Sequence, residues 1–405
     1  MTSDTAPTTV DRRRVIRLTA GSHFLVHLFE GAVPPLIPLL VVTFDTNYFT
    51  LGVIVTVFSV LFGVGALPAG FLASRLGPRR LVTGYLLLTG VAFMLVLGVD
   101  SLLPYGILIG LAGLTSSVYH PASNTLISYA IKEKGRAFGI HGITGSLGTA
   151  AVPVLTAGIA SAFGWQAPHV LYGAFGVMLA VYSLKVREYH VAASDAQPAS
   201  GEETDLSRLR LAGVITLISS GAALGLAYRG VITFLPSYMG EQVQIGFLGD
   251  DAVTIGGFVT TLALLSGALG QYISGKLVDR YSAERLYLTV VAAAGVFVLL
   301  IAGTTGFVLV AVTVVFALFN FATQPIQNYL LSHYLPSRHQ GAAFGVHFFA
   351  VFGVGSLAAA VAGYIADTFG LEAVFFAMAV CFAVATLLAV WLLVLSKRLF
   401  ADSRV

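Results

Sequence analysis

Residues 135–141 read Gly-Arg-Ala-Phe-Gly-Ile-His, and residues 341–347 read Gly-Ala-Ala-Phe-Gly-Val-His. Gly135, Ala137, Phe138, Gly139 and His141 therefore recur as Gly341, Ala343, Phe344, Gly345 and His347. A spacing of about 205 residues relates further stretches in the same order, which marks a duplicated unit. His120-Pro121 and Asn124 recur as Gln324-Pro325 and Asn328. Phe163-Gly164 recurs as Phe369-Gly370. Gly70, Arg75, Arg80 and Leu81 recur as Gly275, Arg280, Arg285 and Leu286. Ordered matches at one spacing are hard to obtain by chance, so the chain reads as two similar halves.

The solvent of those halves follows from composition. Of 405 residues, 57% are hydrophobic and 10% charged, where soluble domains carry roughly 25% charged residues. So few charges cannot cover a water-facing surface of this size, and the outer surface is expected to face lipid. The net charge is +3, and no basic stripe interleaves with aromatics, so nucleic-acid binding has no support. The lone Cys381 lies in an apolar run. It has no internal disulfide partner and reads as a packed small residue. Residues 1–16 are polar, and the apolar run from Leu18 is long enough to stay as a span, so no cleavable signal peptide is expected.

A spanning helix needs roughly 20 apolar residues. Such runs lie near 17–43, 50–74, 81–99, 102–130, 136–162 and 166–186, then near 209–239, 252–276, 285–303, 306–333, 341–366 and 372–396. The stretch 187–208, with its Ala-Ser-Asp-Ala-Gln-Pro-Ala-Ser-Gly-Glu-Glu, reads as a solvated linker. The expectation is an all-α membrane protein of twelve helices in two six-helix halves, 1–186 and 209–405. The charges test it independently, because positive residues accumulate on the cytoplasmic side. With both termini cytoplasmic, every one of the 22 Lys and Arg except Arg229 falls inside. The outer loops hold Asp45, Asp100, Glu241, Asp250, Asp251, Asp367 and Glu372.

Two six-helix halves with a cytoplasmic linker resemble the major facilitator superfamily, over nearly the whole chain. The loop after the second span reads Gly70-Phe71-Leu72-Ala73-Ser74-Arg75-Leu76-Gly77-Pro78-Arg79-Arg80. It is similar to that superfamily's signature: Gly, an Asp-Arg pair, a second Gly and two basic residues. Ser74 stands where the pattern has Asp; the second copy keeps Asp279-Arg280 but has Ala283 for the second Gly. The resemblance implies that Arg75, Arg79, Arg80, Asp279 and Arg280 belong to a charged cytoplasmic gate. His23-Phe24, Glu30-Gly31-Ala32-Val33-Pro34-Pro35-Leu36-Ile37-Pro38 and Tyr119-His120-Pro121-Ala122 look like the fosmidomycin-resistance-like branch. Its members are mostly exporters of drugs or metabolites driven by proton entry. His27 stands where that branch would place Asp. The fifth span has Gly145, Gly148 and Gly158 of the antiporter signature, with Pro153 not beside a glycine.

Ionisable groups within a bilayer are expensive and usually functional. Glu30 and Arg229 lie well inside the first span of each half, as Glu30-Gly31 and Arg229-Gly230. Either they form a salt bridge that ties the halves together, or Arg229 binds an anionic substrate group while Glu30 carries a proton or cationic group. His23, His27 and Glu30 fall at i, i+4 and i+7 and share one helix face. With His120 and His141 they suit proton handling, since histidine titrates near neutral pH. Transition-metal binding and hydrogen bonding between packed helices are the other readings. The repeat of His141 as His347 favours a shared structural role for those two. Asn124, Gln324, Gln327, Asn328 and Tyr329 give the fourth and tenth spans polar faces, to which Tyr228 and Asn320 can add; interhelical hydrogen bonding is the plainer alternative. The expected substrate site is Arg229, Glu30, His120, Asn124, Tyr228, Gln324 and Asn328, and the expected proton-coupling set is Glu30, His23, His27 and His141.

No phosphate-cradling loop follows a strand, so ion coupling without a cofactor is expected in place of ATP. No His-Glu-x-x-His occurs, and Ser146 lacks a reason to be a nucleophile, which argues against an enzyme. A sensor would carry a soluble output domain, and no loop is long enough for one. The leading expectation is a proton-coupled exporter of a small organic molecule with an anionic part, working by alternating access. It would act as a monomer in the cell inner membrane. Its partners would be substrate, protons and lipid. An uptake symporter for a carboxylate, and a metal or metal-chelate exporter using the histidines, stand beside it.

Overall fold

The computed structural model describes residues 9–131, 134–189, 208–245, 251–278, 280–334, 343 and 345–399. Most of the expected linker (190–207), Asp279, Asp250, Arg338, Arg404 and the repeat residues Gly341 and Phe344 lie outside them. The described residues are helical almost throughout, and no strand occurs among them. In order the helices are α1 (Thr9–Gly31), α2 (Ile37–Thr43), α3 (Tyr48–Leu76), α4 (Pro78–Leu95), α5 (Leu102–Ser116), α6 (Tyr119–Ala130), α7 (Lys134–Phe163) and α8 (Gln166–Ser183). There follow α9 (Arg208–Gln242), α10 (Ala252–Leu277), α11 (Ala283–Ala302), α12 (Gly306–Tyr334), a π-helical stretch (Phe349–Val354), α13 (Leu357–Phe369) and α14 (Leu371–Leu399).

Eleven helical segments among the described residues are long and apolar enough to cross a membrane. The sixth expected span is the one left out. It is the 18-residue α8, whose first turn carries Gln166, Pro168 and His169 and dilutes its hydropathy. It still packs along α4 and α1 as a member of its bundle.

Two expected spans are broken. The first divides after Gly31, where a 3-10 turn at Pro34–Leu36 precedes α2. Pro34 and Pro35 have no N–H to give the preceding turn, and their rings crowd the carbonyls behind them. The fourth divides at Ser117-Val118, and α6 then opens with Pro121 in its first turn, where a missing N–H costs nothing. Their counterparts α9 and α12 run unbroken through Pro236 and Pro325. The second copy has its irregularity in the eleventh span instead, as the π stretch.

Contacts divide the chain into two compact units, 1–36 with 57–197 and 37–56 with 198–405. Each repeats the same packing. In the first, α1 lies against α6, α7 and α8, and α4 against α5, α6 and α8. In the second, α9 lies against α12, the π stretch with α13, and α14, while α11 lies against α12 and α14. Small residues allow the close approaches such bundles need. Gly113 sits on the backbone of Phe58 in one unit and Gly270 on that of Leu318 in the other, with no room for a Cβ. The matched Gly164 and Gly370 end α7 and α13 with φ of 89° and 86°, a conformation that favours glycine.

The second unit includes 37–56 for a visible reason. The Asp367 carboxylate accepts the backbone N–H groups of Tyr48 at 2.9 Å and Phe49 at 2.7 Å, at the start of α3. Thr56 donates from Oγ1 to the Ser356 carbonyl at 3.0 Å, and Gly52 touches the backbone of Ala359.

Candidate functional site

In the first unit the expected histidines converge. His23 and His27 lie one turn apart on α1, with ring centroids 5.1 Å apart. His120 enters from the first turn of α6, its centroid 5.2 Å from that of His23 and 6.0 Å from that of His27. His141 on α7 stacks on His23 at 3.9 Å. The helix breaks help to build this place: Glu30 stands one residue before the end of α1, and His120, four residues after the end of α5, lies in the first turn of the new helix α6. Gly145 makes the slot for His23, because a Cβ there would collide with the imidazole ring.

The ring nitrogens have defined partners. His23 Nδ1 lies 2.6 Å from the His141 carbonyl. A carbonyl only accepts, so His23 carries its proton on Nδ1 and leaves Nε2 as a lone pair. His27 Nδ1 lies 3.2 Å from Glu30 Oε2, so an ionised Glu30 fixes the same tautomer there. His141 differs, since its Nε2 is taken by Tyr119 Oη at 3.0 Å and Ser123 Oγ at 3.2 Å. Tyr119, in turn, donates to the Thr19 carbonyl at 2.8 Å. His23, His27 and His120 each offer one nitrogen, and these atoms lie within 4.8 Å of one another. Asn124, one turn on from His120, is exposed.

The signature loop of the same unit is organised by a residue the sequence reasoning missed. Glu188 follows α8 and turns its carboxylate onto the start of α4. Oε1 accepts the Arg79 N–H at 2.9 Å and Oε2 the Arg80 N–H at 3.0 Å. The Arg79 and Arg80 guanidinium Nε atoms lie 3.4 Å and 4.0 Å from Oε2. Gly77, at φ 93°, precedes them, and a Cβ on it would sit 2.5 Å from the carboxyl carbon of Glu188. Arg75 is exposed at the end of α3.

In the second unit Arg229 is buried in the middle of α9, beside a half-buried Tyr228 whose ring meets Phe321 edge-on at 5.7 Å. Gln324 is exposed and accepts from Gln271 Nε2 at 2.9 Å. Asn328 Oδ1 is buried without a hydrogen-bond partner among the described residues. Gln327 donates to Tyr287 Oη at 2.7 Å, and Tyr287 also meets Ser220 Oγ at 2.7 Å. In the first unit Tyr85 donates to the Ser22 carbonyl at 2.9 Å. Among the described residues no histidine ring lies beside His347, whose ring lies against Gly221. Arg280 is exposed. The two groups of polar residues thus belong to different units, Glu30 and the histidines to one and Arg229, Tyr228, Gln324 and Asn328 to the other.

Residues 19–359 and 252–402 match the sequence profile of the Major Facilitator Superfamily. This chain belongs to the major facilitator superfamily. Among solved structures, this superfamily member is similar to a bacterial homolog of the human lysosomal transporter Spinster in its inward-facing, unoccupied conformation. The TM-score there is 0.74 at 14% identity, over 95% of this chain and 97% of that one. The nucleoside transporter NupG gives a TM-score of 0.74 at 15% identity, over 94% and 99%. Such identities speak for the fold alone. A probable L-galactonate transporter of Escherichia coli is 24% identical over 56% of this chain and 53% of its own. A probable sulfoacetate transporter, SauU, of Cupriavidus necator is 23% identical over 66% and 65%. The multidrug resistance protein MdtG of Erwinia billingiae is 25% identical over 44% of each chain. The superfamily member thus spans between about half and two thirds of the length of the first two of these curated relatives.

Proposed function

We propose that the protein is a secondary transporter, not an enzyme, that moves a small organic anion across the cell inner membrane by alternating access, with both termini cytoplasmic and as a monomer. The observation that carries this reading is Arg229, a cation buried in the apolar helix α9. A charge so placed is costly unless it has work to do. Asn328, with a buried acceptor oxygen that lacks a partner among the described residues, supplies a second polar group of the same unit. Tyr228 and Gln324 extend that set, and Glu30, His120 and Asn124 are further proposed substrate-binding residues in the first unit. Two relatives named for organic acids, L-galactonate and sulfoacetate, support an anionic substrate.

The leading direction in this reading is export driven by proton entry, in keeping with the fosmidomycin-resistance-like residues of the first and fourth spans and with a relative named for multidrug resistance. Glu30, His23, His27 and His141 are the proposed coupling groups, and Arg75, Arg79, Arg80, Asp279 and Arg280 the gate. The organic-acid relatives favour a second reading, uptake of a carboxylate together with protons. Proteoliposomes with an imposed pH gradient, screened against labelled carboxylates, sulfonates and neutral drug-like compounds, separate the two. Accumulation of an anion on the acidic side supports export, accumulation on the alkaline side supports symport, and pH-driven movement of neutral compounds alone would overturn the anion reading.

A further inference from the structure

We infer that His23, His27 and His120 form a binding site for one late first-row divalent metal ion, of the Zn2+ or Co2+ kind. This does not rest on the transport reading. Three imidazoles from two helices bring their nitrogens within 4.8 Å of one another. Ligands around a tetrahedral ion with Zn–N of about 2.0–2.1 Å stand roughly 3.4 Å apart. The rings therefore need to draw in by about an ångström, which rotation about their χ angles supplies. Imidazole nitrogen suits zinc, copper, cobalt and nickel, whereas magnesium and calcium take oxygen ligands.

The stronger argument lies behind the rings. A histidine that ligates a metal through one nitrogen almost always donates its other N–H to a carbonyl or carboxylate, which sets the tautomer and aims the ring. His23 does so to the His141 carbonyl, and His27 does so to Glu30. Both are thereby left with an Nε2 lone pair. A cluster that served only to tie helices together would use both ring nitrogens of each histidine. The buried His169 does the same, between Tyr105 Oη at 3.2 Å and the Trp165 carbonyl at 3.2 Å. The half-buried state of His27 leaves a way in for the ion. Three protein ligands leave a fourth position open, which water or a carboxylate-bearing molecule can fill.

The test uses the full chain in detergent, purified without a polyhistidine tag, stripped with chelator and titrated with Co2+ and with Zn2+ alone. Visible d–d absorption of Co2+ and calorimetry of Zn2+ report binding. One ion per chain is expected. His23→Gln, His27→Gln and His120→Gln are each expected to weaken it by more than tenfold. Glu30→Gln keeps every ring and removes only the carboxylate behind His27, so a loss of roughly tenfold is expected, in the range for such supporting partners. His333→Gln, at an exposed histidine in the second unit, should change nothing. Thermal unfolding confirms that each variant is folded, and Glu30→Gln serves where a histidine variant is not. Absence of binding by the folded wild type would overturn the proposal. So would stoichiometric binding that survives all three histidine substitutions.

Discussion

Glu188 holds Arg79 twice: Oε1 accepts its backbone N–H at 2.9 Å, and Oε2 lies 3.4 Å from its guanidinium Nε. The carboxylate thus caps α4 from outside the helix and neutralises the basic pair of the signature loop within the same unit. The first is worth about 1 kcal/mol by analogy with ordinary N-caps, and a carboxylate at a helix N-terminus adds a few tenths more.

Glu188→Ala is therefore expected to lower stability by about 1–2 kcal/mol. Gly77→Ala should cost at least as much, since alanine disfavours φ of 93° and its Cβ meets the Glu188 carboxyl at 2.5 Å. Because both act on one contact, the double variant should lose less than the sum. Equilibrium unfolding in detergent measures all three. Full additivity would mean that Gly77 does not act by making room for Glu188.

Asp367 caps α3 in the same manner in the second unit, through Tyr48 and Phe49. Asp367→Ala should expose those two amides. Hydrogen exchange at residues 48–52 is expected to speed up by roughly tenfold, equivalent to about 1.4 kcal/mol of lost protection. Tyr105 and its neighbours in the first unit should exchange as before. An unchanged rate at 48–52 would show that the helix start is held by its other contacts, such as Thr56 with Ser356.

Much of this was legible in the sequence, and what was not has physical causes. The repeat of Gly135–His141 as Gly341–His347 predicts two similar helical halves, and each unit packs its helices in the same pattern. The face shared by His23, His27 and Glu30 follows from the helical period, and His27 with Glu30 are partners at 3.2 Å. The breaks after Gly31 and at Ser117 were signalled by Pro34-Pro35 and by Pro121. Hydropathy runs continuously through both, because it does not see a missing N–H. Glu188 and Asp367 were hidden for another reason. Each caps a helix more than 100 residues away in sequence, and nothing local marks a carboxylate as a distant cap. Gly145 is one of several spaced glycines in the sequence, but only the fold shows that His23 occupies the space of its missing side chain.

That last relationship predicts a contrast between the repeats. Gly145→Ala drives a methyl into the His23 ring, and Gly221→Ala drives one into the His347 ring. Both overpack a helix crossing and should cost about 1–3 kcal/mol. His23 must swing away from the His141 carbonyl to relieve the clash, so Gly145→Ala should also disturb the imidazole signals of His27 and His120 in NMR spectra of ring-labelled protein. Gly221→Ala should leave those signals in place. Equal disturbance by both would show that the first-unit cluster is not held by the Gly145 slot.

Arg229 carries the proposed function, and its substitution is the direct test. A guanidinium offers a planar fork that matches carboxylate and sulfonate oxygens, while an ammonium offers a point charge. Arg229→Ala should therefore weaken binding of the transported anion by about a hundredfold, equivalent to roughly 2.7 kcal/mol. Arg229→Lys should retain part of the affinity. Neutral amide analogues of the same substrate should bind wild type and both variants with similar weakness, since none of them presents a charge to the fork. Calorimetry on the purified proteins, with the anion found in the vesicle screen, gives the three constants. A charge whose role is to tie helices together predicts a different pattern: Arg229→Ala would lose thermal stability and yet bind the anion as wild type does once folded. That pattern would remove Arg229 from the substrate site.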